Sequence, residues 1–351
     1  MAAVQPVFLR AMATSAPENI ILQDDAAAAA EHLFASRYAD FGRLKNVFRT
    51  AGIHKRQMAR PIEWYLEPRN WPDRSEAYLD CADGLFLKAA TEALDRAKLT
   101  AAEIDTIVTV SSTGIATPGL EARALNVMPF RHNVRRVPVF GLGCAGGTSG
   151  LGLASRLAKA DPGSNVLLVI IELCSLSFQL DKLTKANIVA SALFGDGAVA
   201  AVVSSDEEGE IQIEGAEEHT WRDTLDIMGW SVDADGLGVI FDRAIPPFAR
   251  KYLAPALDGM LSALELDRED VGRFGFHPGG QKVIAAIESA MELGQGTLDA
   301  EREVLRDYGN MSAPTVFFVL ERLMQKGLPG RTVLSALGPG FTSSCVSLRA
   351  A

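Results

Sequence analysis

The aliphatic run from Val166 to Ile171, inside the stretch Asn165–Leu173, constrains the fold of this chain more than any other feature. The run has the length of a strand, and continuous apolar strands are typical of parallel sheets that helices cover on both faces. Similar strand-length runs, such as Ile104–Val110, alternate with helix-length amphipathic stretches. This alternation predicts a layered α/β protein.

The same reasoning places the other elements. Helices are predicted over Cys81–Leu99, Cys144–Ala160, Pro246–Leu264, Gln281–Leu293 and Ser312–Lys326. Further strands are predicted over Arg136–Leu142, Ala198–Ser204, Arg273–His277 and Arg331–Leu337. Ser-Ala-Leu leads into a glycine-rich turn at both Ser191–Gly197 and Ser335–Gly340, which indicates a duplicated architecture. We expect an N-terminal half over residues 1–205 and a C-terminal half over residues 206–351, with the acidic stretch Ser204–Glu210 as the linker.

Composition argues against several classes of protein. The chain has 351 residues, of which 48% are hydrophobic and 22% charged, which is typical of a globular protein with one large core or two fused cores. Its net charge of −10 argues against a dedicated nucleic-acid-binding protein. No apolar run approaches the ~18–20 residues of a membrane span. The first residues lack the basic and apolar segments of a secretory signal.

The cysteines are Cys81, Cys144, Cys174 and Cys345, and no two of them form a C-x-x-C pair. We therefore expect no zinc site and no redox dithiol. Free thiols are typical of a reducing compartment, so the sequence predicts a cytoplasmic protein.

One of these cysteines follows a predicted strand and begins a predicted helix. Cys144 stands between glycines in the segment Val137–Gly147, where glycine permits a sharp turn. The positive end of a helix dipole and its unpaired N–H groups stabilise a thiolate at such a position. The segment therefore predicts a nucleophilic cysteine.

Two further polar residues occupy similar turns. His277 ends a predicted strand before Pro278-Gly279-Gly280, and Asn310 lies in the segment Tyr308–Thr315 before an apolar helix. By itself Asn310 also fits an ordinary helix N-cap. Together, cysteine, histidine and asparagine can perform acyl transfer, with the histidine and the amide donating hydrogen bonds to an oxyanion. The same set fits a cysteine hydrolase, so it does not decide the reaction.

In their order and spacing, these motifs resemble the type III polyketide synthases, the chalcone synthase-like branch of the thiolase superfamily. The resemblance rests on the Cys144 elbow, His277-Pro278-Gly279-Gly280, Gly309-Asn310-Met311-Ser312 and Gly338-Pro339-Gly340, and extends from about Phe8 to Ala351. It implies a five-layered αβαβα fold made of two similar halves, and a homodimer. It also implies catalysis by Cys144, His277 and Asn310 with acyl-CoA and malonyl-CoA as substrates, without a metal or an organic cofactor.

The resemblance further implies a set of residues that line the substrate cavity. They are Phe194, Cys174, Ser177, Thr113, Thr117, Val239 and Ser312. Phe194 matches one aromatic gatekeeper, and ungapped comparison places Val239 at the second. Val239, Ser177 and Thr117 are smaller than their counterparts in the plant enzymes, which indicates a wider cavity. We therefore expect a long-chain fatty acyl starter and pyrone or resorcinol products.

Residues 41–60 contain six basic residues and no acidic ones, in a chain with an excess of acidic residues. A basic surface attracts the phosphates of coenzyme A. We expect Arg43, Lys45 and Arg49 to contribute to the CoA site together with Gly279 and Gly280, although the run also fits the solvated face of a helix. The alternatives to a polyketide synthase are a ketoacyl-ACP synthase III-like enzyme and a non-catalytic acyl-binding protein of the same fold.

Overall fold

Strands and helices alternate along the computed structural model, which describes residues 5–205 and 209–350. The strands are β1 (Phe8–Ser15), β2 (Asn19–Leu22), β3 (Lys55–Met58), β4 (Thr106–Val110), β5 (Arg135–Val139), β6 (Asn165–Leu173), β7 (Asp196–Ser204), β8 (Ile211–Thr220), β9 (Met228–Asp233), β10 (Gly236–Phe241), β11 (Arg273–Phe276), β12 (Arg331–Gly338) and β13 (Thr342–Ala350). The helices are α1 (Gln23–Phe34), α2 (Phe41–Leu44), α3 (Asn46–Thr50), α4 (Ile62–Tyr65), α5 (Trp71–Ala97), α6 (Leu120–Ala124), α7 (Gly146–Ala160), α8 (Lys185–Leu193), α9 (Ile245–Ala263), α10 (Gln281–Ala290), α11 (Asp299–Tyr308) and α12 (Thr315–Lys326).

A nine-stranded mixed sheet has the strand order β11-β12-β13-β8-β1-β7-β6-β4-β5. Its first half consists of β1, β7, β6, β4 and β5, and its second half of β8, β13, β12 and β11. The two halves meet where β1 pairs with β8, through Phe8 with Gln212 and Leu9 with Ile211. The strands β9 and β10 form a separate antiparallel hairpin.

Helices cover both halves of the sheet and also lie between them. On one outer face α5 packs against β1, β6 and β7, and on the other α9 packs against β8, β13 and α10. Between them, α7 contacts strands of both halves, and α12 contacts α7, β1, β11 and β12. The layers are therefore helix, sheet, helix, sheet, helix, and the predicted five-layered αβαβα fold is confirmed. The division at residue 205 stays a prediction.

The aliphatic run that predicted this arrangement lies in the middle of the first half. Strand β6 covers Asn165–Leu173, as predicted, and every residue from Val166 to Ile171 is buried. Alternate side chains of the strand belong to the core under α5 and to the core around α7, because successive residues point to opposite faces.

Some element boundaries differ from the sequence-based prediction. Helix α5 begins at Trp71 rather than Cys81, because Asn70 and Asp73 form a capping box and Pro72 occupies the first turn. The structure describes only part of the predicted linker, Ser204–Glu210. Ser204 belongs to β7, and residues 206–208 lie outside the described part of the chain. Within that part, no helix combines the length and the apolarity needed to cross a membrane.

Candidate active site

The predicted nucleophile, Cys144, lies in a single 3-10 turn over Gly143–Ala145, directly before the central helix α7. Gly143 has a φ of +48°, and a Cβ there would lie 2.6 Å from Cδ of Pro339. The position therefore requires glycine. The Ser112 hydroxyl accepts hydrogen bonds from the backbone N–H of Gly141 at 3.1 Å and of Gly143 at 3.2 Å, which fixes the turn before Cys144.

Cys144, His277 and Asn310 line one cavity. They come from the start of α7, the end of β11 and the segment before α12, which are far apart in sequence. Gly279 also lines this cavity. The rest of the wall is mainly apolar and includes Met228, Phe241, Ile245, Leu253, Phe276, Val283, Ile287 and Leu337. We call this space the Cys144 cavity.

The imidazole of His277 is buried and faces this cavity. Its backbone N–H donates to the carbonyl oxygen of Ser335 at 2.9 Å, which continues the pairing of β11 with β12. Neither ring nitrogen has a hydrogen-bond partner among the described residues. Burial lowers the pKa of His277 to about 3. The ring is therefore neutral when it titrates alone, and both of its nitrogens are available. The other histidines, His32, His54, His132 and His219, are exposed.

Asn310 is fixed through both its backbone and its side chain. Its N–H donates to the carbonyl oxygen of Leu193 at 2.8 Å, and its carbonyl oxygen accepts from the N–H of Gly195 at 2.9 Å. Its Oδ1 accepts from the N–H of Ser312 at 2.8 Å, and its Nδ2 donates to the carbonyl oxygen of Gly279 at 3.3 Å. These contacts orient the amide, with its NH₂ group on the side of the histidine loop.

The N-cap interpretation of Asn310 is wrong. Helix α12 begins at Thr315, and the residue at its N-cap position is Pro314. Asn310 lies outside the helix and instead forms a short turn with Ser312, which has a φ of +58°.

Burial dominates the electrostatics of Cys144. It raises the pKa of the thiol to about 12, although a hydrogen bond with Ser312 acts in the opposite direction. A charge on Glu172 would raise the pKa of Cys144 further, but burial raises the pKa of Glu172 to about 8 and so favours its neutral form. Burial thus opposes the thiolate predicted at the helix N-terminus. The isolated thiol is neutral at neutral pH.

Aromatic contacts connect the wall of the Cys144 cavity with the wall of a second cavity. The ring of Phe194 lies edge-on to Phe241 at 6.4 Å and to Trp230 at 6.3 Å between centroids. Phe241 lines the Cys144 cavity, and Phe194 lines the second cavity. Val239 was expected as the partner of Phe194, but it lines neither cavity and lies opposite Trp230 in the hairpin. Val239 and Phe241 are two residues apart in β10 and therefore lie on the same face of the strand.

The second cavity, which we call the α1 cavity, adjoins helix α1. The predicted cavity residues Cys174, Ser177 and Phe194 line it together with Arg56. Most of the remaining wall is apolar, and it is formed by Ile21, Ala26, Ala29, Ala30, Leu33, Phe34, Met58, Ile62, Leu66 and Phe178, among others.

The other predicted cavity residues do not lie together in one cavity. Ser177 also borders a third cavity, together with Thr113. The hydroxyl of Thr113 accepts from the N–H of Leu173 at 2.8 Å. Thr117 is exposed and lines none of these three cavities. Val239, Ser177 and Thr117 therefore do not line one of these three cavities together in the isolated chain, and the wider cavity stays a prediction.

The residues expected to bind CoA lie on α2, α3 and the loop before α10. Arg43, Lys45 and Arg49 are exposed, and Lys45 pairs with Glu31 at 3.3 Å. The basic run does not form a single surface, because Arg56 is only 2% exposed. Gly279 lines the Cys144 cavity, whereas Gly280 is the N-cap residue of α10.

Sequence reasoning missed three contributors to this region: Arg56, Trp230 and Phe241. The alternation within β10 could have indicated Phe241, since it shares a face with Val239. No sequence signal distinguishes the buried Arg56 from the other basic residues of the run 41–60. All four cysteines are free, as predicted. Across residues 5–205 and 209–350, no group of three or more His, Cys, Asp or Glu is placed to hold a metal ion.

Two family models match the chain. The model of the N-terminal domain of chalcone and stilbene synthases matches residues 2–207, and that of their C-terminal domain matches residues 226–351. Among curated proteins, the 1,3,6,8-tetrahydroxynaphthalene synthase of Streptomyces peucetius subsp. caesius is 38% identical over 347 residues, covering 97% of this chain and 92% of the relative. The alpha-pyrone synthesis polyketide synthase-like protein of Mycobacterium tuberculosis is 27% identical over 351 residues, covering 95% and 88%.

Solved structures have the same fold. The 1,3,6,8-tetrahydroxynaphthalene synthase of Streptomyces coelicolor A3(2), a bacterial type III polyketide synthase, superposes with a TM-score of 0.92 at 28% identity, covering 98% of this chain and 99% of that one. PKS-I from the brown alga Ectocarpus siliculosus superposes with a TM-score of 0.91 at 24% identity, covering 99% and 98%.

Proposed function

This chain belongs to the chalcone and stilbene synthase family of type III polyketide synthases, which are acyltransferases, and we propose that it extends an acyl-CoA starter with several malonyl-CoA units. The observation that carries this proposal is the convergence of Cys144, His277 and Asn310 on one cavity. A thiol, a buried imidazole with two unpartnered nitrogens and an oriented amide supply the groups that acyl transfer requires.

In the first step, the sulfur of Cys144 attacks the carbonyl carbon of the acyl-CoA. The proton of the thiol moves to His277, a new carbon–sulfur bond forms, and the bond to coenzyme A breaks. The departing CoA thiolate takes that proton from His277. Burial keeps the Cys144 thiol and the His277 imidazole neutral when each titrates alone. Proton transfer from the thiol to the imidazole therefore creates a pair of opposite charges with no net charge.

In the second step, malonyl-CoA loses carbon dioxide, and the electrons of the broken bond form an enolate. His277 and the NH₂ group of Asn310 donate hydrogen bonds to the enolate oxygen. The enolate carbon attacks the thioester on Cys144 and releases the sulfur. The extended chain then returns to Cys144 for another round before it cyclises. No metal or organic cofactor is required, because decarboxylation replaces a strong base.

A pH profile tests whether His277 accepts the proton. In a His277→Gln variant, Cys144 titrates alone with its pKa raised by burial to about 12. Because only the thiolate reacts, alkylation by iodoacetamide should accelerate about tenfold per pH unit between about pH 7 and about pH 9 in this variant. The wild-type protein should stay reactive at lower pH, since His277 takes the proton. Identical profiles for the two proteins would contradict this role of His277.

The starter is proposed to be a long-chain fatty acyl group, and the products pyrones or resorcinols. The α1 cavity supports this, because its wall is largely apolar and includes Phe194, whose ring packs against Phe241 of the Cys144 cavity. Burial of an alkyl chain there is favourable by about 0.8 kcal/mol for each CH₂ group removed from water. The similarity to a relative named for alpha-pyrone synthesis points in the same direction.

An Ala29→Phe variant tests the place of the alkyl chain. Ala29 lines the α1 cavity, so a phenyl ring there should shorten the space for the starter. We expect kcat/KM for the longest starter to fall more than about tenfold, with a smaller change for short starters. The control is Ala28→Phe on the same helix, since Ala28 is exposed and does not line the cavity. Equal chain-length preferences in both variants would contradict the assignment.

Coenzyme A is proposed to bind between α3 and the start of α10. Gly52, three residues after Arg49, lies against the side chain of Gln281, and Gln281 directly follows Gly279 and Gly280. The exposed Arg43 and Arg49 would thus lie near the entrance to the Cys144 cavity, where cations attract phosphates. Loss of CoA affinity in an Arg49→Ala variant tests this placement, and unchanged affinity would contradict it.

The protein is proposed to be a homodimer in the cytoplasm. Strand β5 is an edge of the large sheet, and an exposed strand edge can pair with another chain. Two large apolar side chains near this edge are exposed, with Phe140 at 56% and Ile115 at 55%. Thr117 follows Ile115 in the same exposed loop, where a partner could bring it to the active site. A monomeric mass in sedimentation at micromolar concentration would contradict the dimer.

The experiment that tests the function is mass spectrometry of the products formed from malonyl-CoA and acyl-CoAs of graded length. We expect pyrones or resorcinols, with the best turnover on long-chain starters. A single condensation that requires a malonylated carrier protein would support the ketoacyl-ACP synthase III-like alternative. Release of the free acid without use of malonyl-CoA would indicate a hydrolase. A tetrahydroxynaphthalene product from malonyl-CoA alone would overturn the assigned starter.

A further inference from the structure

Arg56, on β3, is the largest side chain that the fold buries almost completely, and it makes its hydrogen bonds to main-chain carbonyls. Its Nη1 donates to the carbonyl oxygen of Ser191 at 2.7 Å and to that of Phe194 at 3.0 Å. Its Nε has no hydrogen-bond partner among the described residues. The guanidinium therefore holds the segment from Ser191 to Phe194, which carries the gatekeeper ring.

The aliphatic part of the Arg56 side chain packs against Gly309, in the segment that carries the side-chain amide of Asn310. Gly309 has a φ of +71°, and a Cβ there would lie 2.9 Å from Cγ and Cδ of Arg56. Only glycine fits this position, because of both its backbone conformation and this contact. Arg56 thus touches the residue directly before Asn310.

The segment that carries Phe194 and the segment that carries Asn310 are also hydrogen-bonded to each other. Phe194 and Asn310 form an isolated parallel bridge, in which Asn310 donates to Leu193 and accepts from Gly195. Arg56 lies against both sides of this bridge, at the carbonyl of Phe194 and at Gly309. A change at Arg56 would therefore move the gatekeeper ring and the catalytic amide together.

The charge of Arg56 strengthens its bonds to the carbonyls. The carboxylate of Asp196 attracts the guanidinium through space, but its oxygens accept from the N–H of Ala59 at 2.6 Å and of Ser175 at 2.8 Å. Burial lowers the pKa of Arg56 only to about 10, so it remains a cation at neutral pH. Hydrogen bonds from a cation are stronger than those between neutral groups.

We propose that Arg56 is a positioning residue, which fixes the gatekeeper Phe194 and the amide of Asn310 relative to each other. The catalytic consequence rests on the proposed function, because it assumes that Asn310 stabilises the enolate. The structural consequence, that Arg56 supports the bridge between Phe194 and Asn310, does not depend on the proposed function.

The structural consequence is tested by amide hydrogen exchange in Arg56→Met, Arg56→Lys and the wild-type protein. Exchange at Gly195 and Asn310 should accelerate at least about tenfold in Arg56→Met, since the bridge between them loses its support. Lysine keeps the charge and one donor, so Arg56→Lys should restore part of the protection. The control is Arg331→Met, which removes a half-buried arginine bonded to Glu214 at 2.7 Å and should leave both amides unchanged.

The catalytic consequence is tested by two activities measured side by side. In Arg56→Met, decarboxylation of malonyl-CoA without a starter should slow by about 10²-fold, the effect of displacing a catalytic group by about 1 Å. Alkylation of Cys144 should stay at the wild-type rate, because Arg56 does not contact the Cys144 elbow. A loss of both activities in equal measure would indicate general unfolding and overturn the proposal.

Wild-type exchange rates at Gly195 and Asn310 in both Arg56 variants would also overturn it. If the wild-type protein does not decarboxylate malonyl-CoA, the proposed function fails, and the exchange measurement still decides the positioning role. If Arg56→Met does not fold, the same measurements are made on the Arg56→Lys variant and compared with those on the wild-type protein.

Discussion

The Asn310→Ala variant is expected to decarboxylate malonyl-CoA about 10²- to 10³-fold more slowly than the wild-type protein, the usual cost of removing one oxyanion donor. The amide of Asn310 is oriented before substrate binds, by Ser312 at its Oδ1 and by Gly279 at its Nδ2. A preorganised donor stabilises developing charge without reorganisation during the reaction, so its loss acts on the rate. The measurement is the formation of acetyl-CoA from malonyl-CoA in the absence of a starter.

The Asn310→Asp variant separates the donor from the rest of the side chain. Aspartate keeps an oxygen for the N–H of Ser312 but has no NH₂ group to donate to an enolate. It should therefore be as slow as the alanine variant. Cys144 should be alkylated at the wild-type rate in both variants. Wild-type decarboxylation by Asn310→Asp would show that the donor is not required.

The Cys144→Ala variant is expected to lose polyketide formation by at least about 10⁴-fold, as is typical when a covalent nucleophile is removed. No other cysteine can replace it, because Cys81 and Cys345 do not line the Cys144 cavity and Cys174 lies in the α1 cavity. Decarboxylation of malonyl-CoA should persist in this variant, since His277 and Asn310 remain. The measurement is product formation from acyl-CoA and malonyl-CoA by liquid chromatography with mass detection.

The matched control is Cys345→Ala. Cys345 is a buried, free cysteine in the core under α9 and α10, so its replacement removes a thiol without touching the active site. It should keep polyketide formation close to the wild-type rate. Residual chain extension by Cys144→Ala at more than a small fraction of the wild-type rate would place the nucleophile elsewhere.

Much of this site could be predicted from local sequence patterns. Each of the three catalytic candidates lies at a turn that a short motif marks, and the continuous aliphatic strand β6 indicated the layered fold around them. The turn before Cys144 is defined by glycines whose backbone conformation is itself local. Patterns of this kind depend on residues close in sequence, and they could therefore be interpreted without the tertiary structure.

What could not be predicted depends on contacts between distant segments. The aromatic contacts of Phe194 depend on how the β9–β10 hairpin packs, which places Phe241 and Trp230 against its ring. Arg56 lies in a run of basic residues, and only the packing of β3 against Gly309 buries it. The neutral state of the isolated Cys144 follows from burial, which the helix-dipole argument did not include.

The most direct test of this account is the intact mass of the protein after incubation with a long-chain acyl-CoA alone, followed by peptide mapping. We predict a single added acyl group on the peptide that contains Cys144, and no added mass in the Cys144→Ala variant. An unmodified wild-type protein, or an acyl group on Cys174 instead, would contradict the central claim that Cys144 carries the growing chain.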